Sequence, residues 1–352
     1  MKTHAVRKSI VVALSVAIIA LVGVISPPTL QAQGRRPDLE ALHQRLLPLF
    51  ELDGVVYTDA DERTGRFTVG VTNRGLETAI RARLGGLGVA SQSVDVVLSE
   101  PIVQVQTLQD QVTPIEGGLQ IRFGNYLCTL GFNGVRSGVA GFAIASHCTN
   151  KQGGVEGTQY YQPLDQIPAE FIGTEIADPN YQRNIPECPR GKVCRYSDSA
   201  YAQLANGVPA SLGIIAKTLS VNTGSLTLDT TQFKITAKGV PIVPPDGTAV
   251  VVNKVGRTTG WTAGNLTNTC VNTAVSGTNI VQLCQNFVSA GVGAGDSSSP
   301  VFQITGSPNV KLLGILWGGN TSGTQFVYSP ISNIETELGK MNVCAPTFDC
   351  PN

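Results

Sequence analysis

Gly295-Asp296-Ser297-Ser298-Ser299-Pro300 is the hexapeptide from which the rest of the chain can be read. A serine hydroxyl is a poor nucleophile until a neighbouring base removes its proton. A glycine just before it lets backbone N–H groups turn toward developing negative charge, and Gly291, Gly293 and Gly295 supply that freedom. Taken alone, the stretch is also an ordinary Ser/Gly turn. The histidine census narrows the choice. The chain has three: His4, His43 and His147. Only His147 lies in the cysteine-bearing stretch that also holds Ser297, at the end of the apolar run Phe142-Ala143-Ile144-Ala145-Ser146-His147-Cys148. A strand ending there would hold a rigid imidazole at a cleft rim.

A base needs a third group to fix its tautomer. Asp165, Asp178, Asp198, Asp229 and Asp246 lie between His147 and Ser297. Asp198 precedes Ser199-Ala200-Tyr201-Ala202-Gln203-Leu204, which alternates like a strand, so it would sit at a strand start. Asp178 lies in Ala177-Asp178-Pro179-Asn180, which reads as a plain turn.

Composition agrees with a β-rich chain. There are 39 glycines, 42% hydrophobic residues and only 6% aromatics among 352 residues. Formal net charge is zero, which gives no support to a nucleic-acid or anionic-membrane partner. Lys2, Arg7 and Lys8 precede the apolar run from Ile10 to Ile25, then Pro27, Pro28 and the small Ala32. That is the layout of an export signal over residues 1–32, too short for a spanning anchor. After its removal no membrane association is expected. Eight cysteines in an exported chain imply disulfides. No C-x-x-C pair exists, so zinc is not expected, and the chemistry needs no cofactor.

Two units follow the signal. Residues 33–113 hold 19 charged residues in 81 and no cysteine; residues 114–352 hold 28 in 239 and all eight. In the first, Phe67, Val69 and Val71 alternate, Leu76, Ile80, Leu84 and Leu87 recur at helical spacing, and Val94, Val96 and Leu98 alternate again, a β-α-β pattern. Gln104 to Thr113 is polar and reads as an exposed linker. The second unit has short apolar runs parted by Gly, Asn, Thr and Pro, as in an antiparallel barrel or sandwich. Near its end Ser329 can cap a helix, Pro330 suits the first turn, Ile331, Ile334 and Leu338 share a face, and Gly339 can stop it.

His147, Asp198, Ser297 is the chain order of chymotrypsin-like serine peptidases, and residues 114–340 resemble their bacterial branch, the streptogrisins and α-lytic protease. Ile115-Glu116-Gly117-Gly118 resembles that branch's mature start, and Ser146-His147-Cys148 its A-G-H-C. Gly256-Arg257-Thr258-Thr259-Gly260-Trp261 and Gly314-Ile315-Leu316-Trp317-Gly318-Gly319 resemble two of its strands, the latter its substrate-binding strand. The departures are local. Ser298 and Ser299 replace the two later glycines of G-D-S-G-G-P, and Trp317 stands where a serine supports the triad aspartate.

The resemblance implies two six-stranded antiparallel β-barrels with a C-terminal helix, preceded by a small α/β pro-module over 33–113 that assists folding. It implies a secreted (extracellular or periplasmic) endopeptidase, made as a zymogen, that acts on proteins or peptides. Its catalytic residues would be His147, Asp198 and Ser297, with the N–H groups of Gly295 and Ser297 as oxyanion hole. Gly291 would form the base of an uncharged pocket beside Trp317, Gly318 and Gly319. Lys254, with Arg257 as rival, would meet Asp296. Cys128–Cys148 follows from the family's histidine loop. Cys188–Cys194, Cys270–Cys284 and Cys344–Cys350 follow from proximity. A non-catalytic relative that binds peptides through the same cleft is the second expectation. Mature protein beginning near Thr113–Gly117 is the third.

Overall fold

The computed structural model describes residues 37–102, 104–348 and 350; the expected export signal lies outside them. Two compact units divide the chain between Val103 and Gln104.

In the first unit, strand Arg66–Val71 runs parallel to Val94–Leu98, joined through helix Glu77–Gly86. A third strand, Val55–Asp61, pairs antiparallel with Arg66–Val71. Phe67, Val69 and Val71 pack with Ile80, Leu84, Val94 and Val96 in one core, so the periodic residues of the sequence are the buried ones. Helix Pro37–Gln44 and strand Val55–Asp61 carry no comparable period and were not foreseen.

The second unit is β in two sheets, one wholly antiparallel and one mostly so, with parallel pairs where Val193–Arg195, Phe233–Lys238 and Ile115–Gly117 join it. In one, six strands close on themselves: Ile280–Ser289 pairs with Gly260–Ala274, then Val251–Gly256, Pro300–Gly306, Asn309–Gly319 and Phe326–Pro330, which returns to Ile280–Ser289. This is the expected six-stranded barrel, and further strands extend its sheet. The other sheet is a path of eight antiparallel strands. At its middle, Val139–Ile144 lies between Phe132–Arg136 and Ala200–Leu204. One apolar core spans both sheets, with Phe142 and Phe132 from one and Phe302 and Ile315 from the other. Gly141 is required where Val139–Ile144 crosses its neighbour, because a Cβ there would lie 2.1 Å from the Ala202 carbonyl oxygen.

Disulfides join Cys128–Cys148, Cys188–Cys194, Cys270–Cys284 and Cys344–Cys350. Helix Ile331–Leu338 buries Ile331, Ile334 and Leu338 and ends at Gly339, whose φ is +91°. Ser329 does not cap it. Its hydroxyl accepts from the Asp198 N–H at 3.0 Å and donates to Gln285 at 2.9 Å.

One boundary moves. Gln104–Thr113 is not an exposed linker: it belongs to the second unit. Thr107 bridges to Thr227, and Leu108 is fully buried in the common core. The composition change at residue 113 falls inside the second compact unit, which begins at Gln104, and precedes the first cysteine, Cys128.

Candidate active site

His147 follows strand Val139–Ile144 on a single 3₁₀ turn, Ser146–Cys148, tied by the Cys148 disulfide. Asp198 stands just before strand Ala200–Leu204, the hydrogen-bonded neighbour of Val139–Ile144. Adjacent strand ends therefore bring the two side chains together across 51 residues. The Asp198 carboxylate takes the His147 backbone N–H at 3.0 Å and meets Nδ1 at 2.7 Å. An ionised carboxylate can only accept, so Nδ1 carries the proton and Nε2 is left as the acceptor. Nε2 lies 2.7 Å from the Ser297 hydroxyl.

Electrostatics sharpen this arrangement. Burial alone would lower the His147 pKa, but the charge and hydrogen bond of Asp198 outweigh it and raise it. Burial alone would raise the Asp198 carboxyl; His147 and the charge of Arg195 hold it below its ordinary value.

Ser297 is presented by a loop pinned through Asp296. That carboxylate is fully buried and accepts from the N–H groups of Gly293, Thr258 and Thr259, from the Thr259 hydroxyl and from Lys254 at 3.1 Å. Lys254 is the partner of Asp296, and Arg257 instead donates to Gln120 at 2.6 Å. Gly295 has φ +95°, and a Cβ would strike Arg257 and Thr258. The N–H groups of Gly295 and Ser297 donate to no acceptor among the described residues. The Thr258 hydroxyl, which sequence reasoning had not singled out, donates to the Ala294 carbonyl at 2.6 Å. In a trans peptide C=O and N–H point opposite ways, so this bond turns the Gly295 N–H away from Thr258.

The two serines after the nucleophile have structural partners. Ser298 accepts from the Ala145 N–H at 2.7 Å, joining the Ser297 loop to the His147 strand, and Ser299 donates to the Asp296 carbonyl at 2.6 Å. Ser298 holds φ +73°, a conformation that costs a non-glycine residue about 1 kcal/mol.

Two cavities flank Ser297 and His147. One of about 300 Å³ is lined by Val292, Gly293, Ala294, Ser297, Leu316, Gly318 and Gly319 and has no charged wall. Gly291 is not part of it; it borders a separate cavity with Thr262 and Ala263. The other, about 440 Å³, brings His147, Asp198, Trp317, Gly318 and Gly319 against Thr273–Ser276. The tip of the long hairpin Gly260–Ala274 and Ile280–Ser289 supplies that wall, a feature the sequence reading missed. Trp317 donates to Gln285 at 2.8 Å and makes no bond to the Asp198 carboxylate.

Asp178 is not a plain turn residue. It is buried, accepts from the Ser146 hydroxyl at 2.8 Å and pairs with buried Arg195 at 2.7 Å. Arg195 also donates to the Ser199 carbonyl at 2.8 Å. The pair thus holds the residues next to His147 and next to Asp198.

No family model matches the chain, and no curated protein does. Solved structures do. Its structural neighbours are bacterial chymotrypsin-like serine proteases. Thermobifida fusca protease A is 20% identical at a TM-score of 0.47, over 66% of this chain and 98% of its own. Nocardiopsis protease is 18% identical at 0.46, over 66% and 99%. Cellulomonas bogoriensis chymotrypsin is 19% identical at 0.45, over 66% and 98%.

Proposed function

We propose that the chain is a secreted serine endopeptidase in which Ser297 is the nucleophile, His147 the general base and Asp198 its orienting carboxylate. The observation that carries this reading is the continuous relay from Asp198 through His147 to Ser297, 2.7 Å at each step, beside two undirected N–H groups.

In the first step the Ser297 oxygen bonds to the peptide carbonyl carbon as Nε2 takes the hydroxyl proton. The carbonyl electron pair moves to oxygen, which would lie against the N–H groups of Gly295 and Ser297. Each such donor contributes about 3 kcal/mol of transition-state stabilisation in well-studied enzymes. Nε2 then gives its proton to the leaving amine, and water hydrolyses the acyl-enzyme by the reverse use of the same groups. The uncharged cavity beside Ser297 favours an uncharged side chain on the acyl side of the scissile bond. Four disulfides support an oxidising, extracytoplasmic location, and the cysteine-free first unit is read as a pro-region.

Labelling by a fluorophosphonate together with hydrolysis of a peptide library tests the reading. Wild-type protein should label at Ser297 and turn over, and Ser297→Ala should do neither. Protein that binds peptides without labelling would establish the non-catalytic alternative.

A further inference from the structure

We infer that residues 106–112 are a positioning brace for the oxyanion-side loop, and that processing must leave them on the active protein. The inference rests on the peptidase reading above.

The backbone here is paired, not free. Leu108 N–H donates to the Leu226 carbonyl at 2.9 Å, and the Gln106 carbonyl accepts from Leu228 at 2.8 Å. The Asp110 carbonyl accepts from Gln162 at 2.7 Å, and Val112 N–H donates to the same side chain at 3.2 Å. Leu108 has no exposed surface. A protease cuts exposed, unpaired backbone, and from Thr107 to Asp110 every N–H is already bonded.

Two connections run from the segment to the Arg257 turn. The Gln109 amide donates to the Arg257 carbonyl at 2.8 Å. The Leu108 carbonyl accepts the Gln120 N–H at 2.8 Å, and the Gln120 side chain accepts from Arg257 Nε at 2.6 Å. The turn in its own right grips the nucleophile loop. Arg257 N–H donates to the Thr129 hydroxyl at 3.1 Å, which donates to the Gly295 carbonyl at 2.9 Å. Thr258 holds the Ala294 carbonyl at 2.6 Å. Of the two carbonyls flanking the Gly295 N–H, that of Ala294 is held by the turn directly and that of Gly295 through Thr129, and the segment steadies the turn. An oxyanion donor acts on charge that exists only in the transition state, so loosening it lowers kcat and leaves KM in place.

The test uses the full chain. Gln109→Ala and Gln109→Glu both remove the donor to Arg257, and the second keeps the side-chain size. Both should lower kcat about fivefold with KM within twofold of wild type. A packing role would leave Gln109→Glu close to wild type and would overturn the brace, as would full kcat in both variants. N-terminal sequencing of active secreted protein should find a start at or before Gln106. Active protein starting anywhere from Thr107 to Gly117 would overturn the inference independently. Wild-type protein that neither labels with fluorophosphonate nor hydrolyses peptide overturns the peptidase reading and the brace together. A wild type that labels, beside variants at full kcat, overturns the brace alone.

Discussion

Single residues set the pH behaviour and the tolerance of the nucleophile loop. In the proposed mechanism His147 must be neutral to accept the Ser297 proton, and Asp198 raises its pKa. The acid limb of kcat/KM should therefore lie above the ordinary histidine value of about 6.5, with activity falling as pH drops through it. Asp198→Asn should lower kcat about 10⁴-fold by favouring the wrong tautomer, and should move that limb downward. A pH series on wild type and variant checks both. Ser298 presents a second case. Ser298→Ala keeps the strained φ and leaves the buried Ala145 N–H unpaired, a cost of about 1–3 kcal/mol. Ser298→Gly loses the same bond but relieves the backbone. Denaturant melts should rank wild type above Gly and Gly above Ala. Ala as stable as wild type would show that the Ser298–Ala145 bond contributes nothing.

Elements decide how the cleft is walled and how its two strand ends are held. The hairpin Gly260–Ala274 and Ile280–Ser289 is cross-linked by Cys270–Cys284 and puts Thr273–Ser276 opposite Trp317 and Gly318. A loop of this size contributes about 3 kcal/mol in the chain-entropy model. Replacing both cysteines by serine should lower the melting temperature and raise KM for peptides extending along the acyl side, with kcat little changed. An unaltered KM would exclude the hairpin from substrate contact. Asp178 and Arg195 act on the strand ends instead. Asp178→Asn breaks a fully buried ion pair, a loss on the order of 3 kcal/mol. Calorimetry should show a larger stability loss than for Asp198→Asn, whose main effect is on turnover. Equal loss of kcat in the two would reopen the choice of aspartate.

At the scale of the whole molecule, Glu116 links stability to pH. It lies on strand Ile115–Gly117, and burial pushes its pKa up to about 7, offset only in part by a hydrogen bond from Gln232. Its ordinary value is 4.5. The folded state thus keeps a proton that the unfolded chain has already lost, so this residue costs stability progressively as pH rises from about 4.5 to about 7. Integrated over that window the cost is on the order of 3 kcal/mol. Glu116→Gln should be similar to wild type at pH 4 and more stable at pH 8, read from melts at both. A constant difference across that range would show that Glu116 ionises normally.

The sequence by itself determined the β-α-β pattern of the first unit and the apolar face of the last helix, and it offered His147, Asp198 and Ser297 as the candidates on which the proposed relay is built. Those signals are local: burial imposes a period of two on strands and near four on helices, and a serine nucleophile demands few residue types. Only the tertiary structure decided that Asp178 is buried on Arg195, that Ser329 serves Asp198 and not a helix end, that the hairpin tip walls the cleft, and that Gln109 steadies Arg257. Each of these is a contact across 17 to 148 positions of chain. A polar residue in a turn looks the same in sequence whether it faces water or a partner brought close by a distant strand, because hydrogen-bonding capacity carries no record of which group will use it.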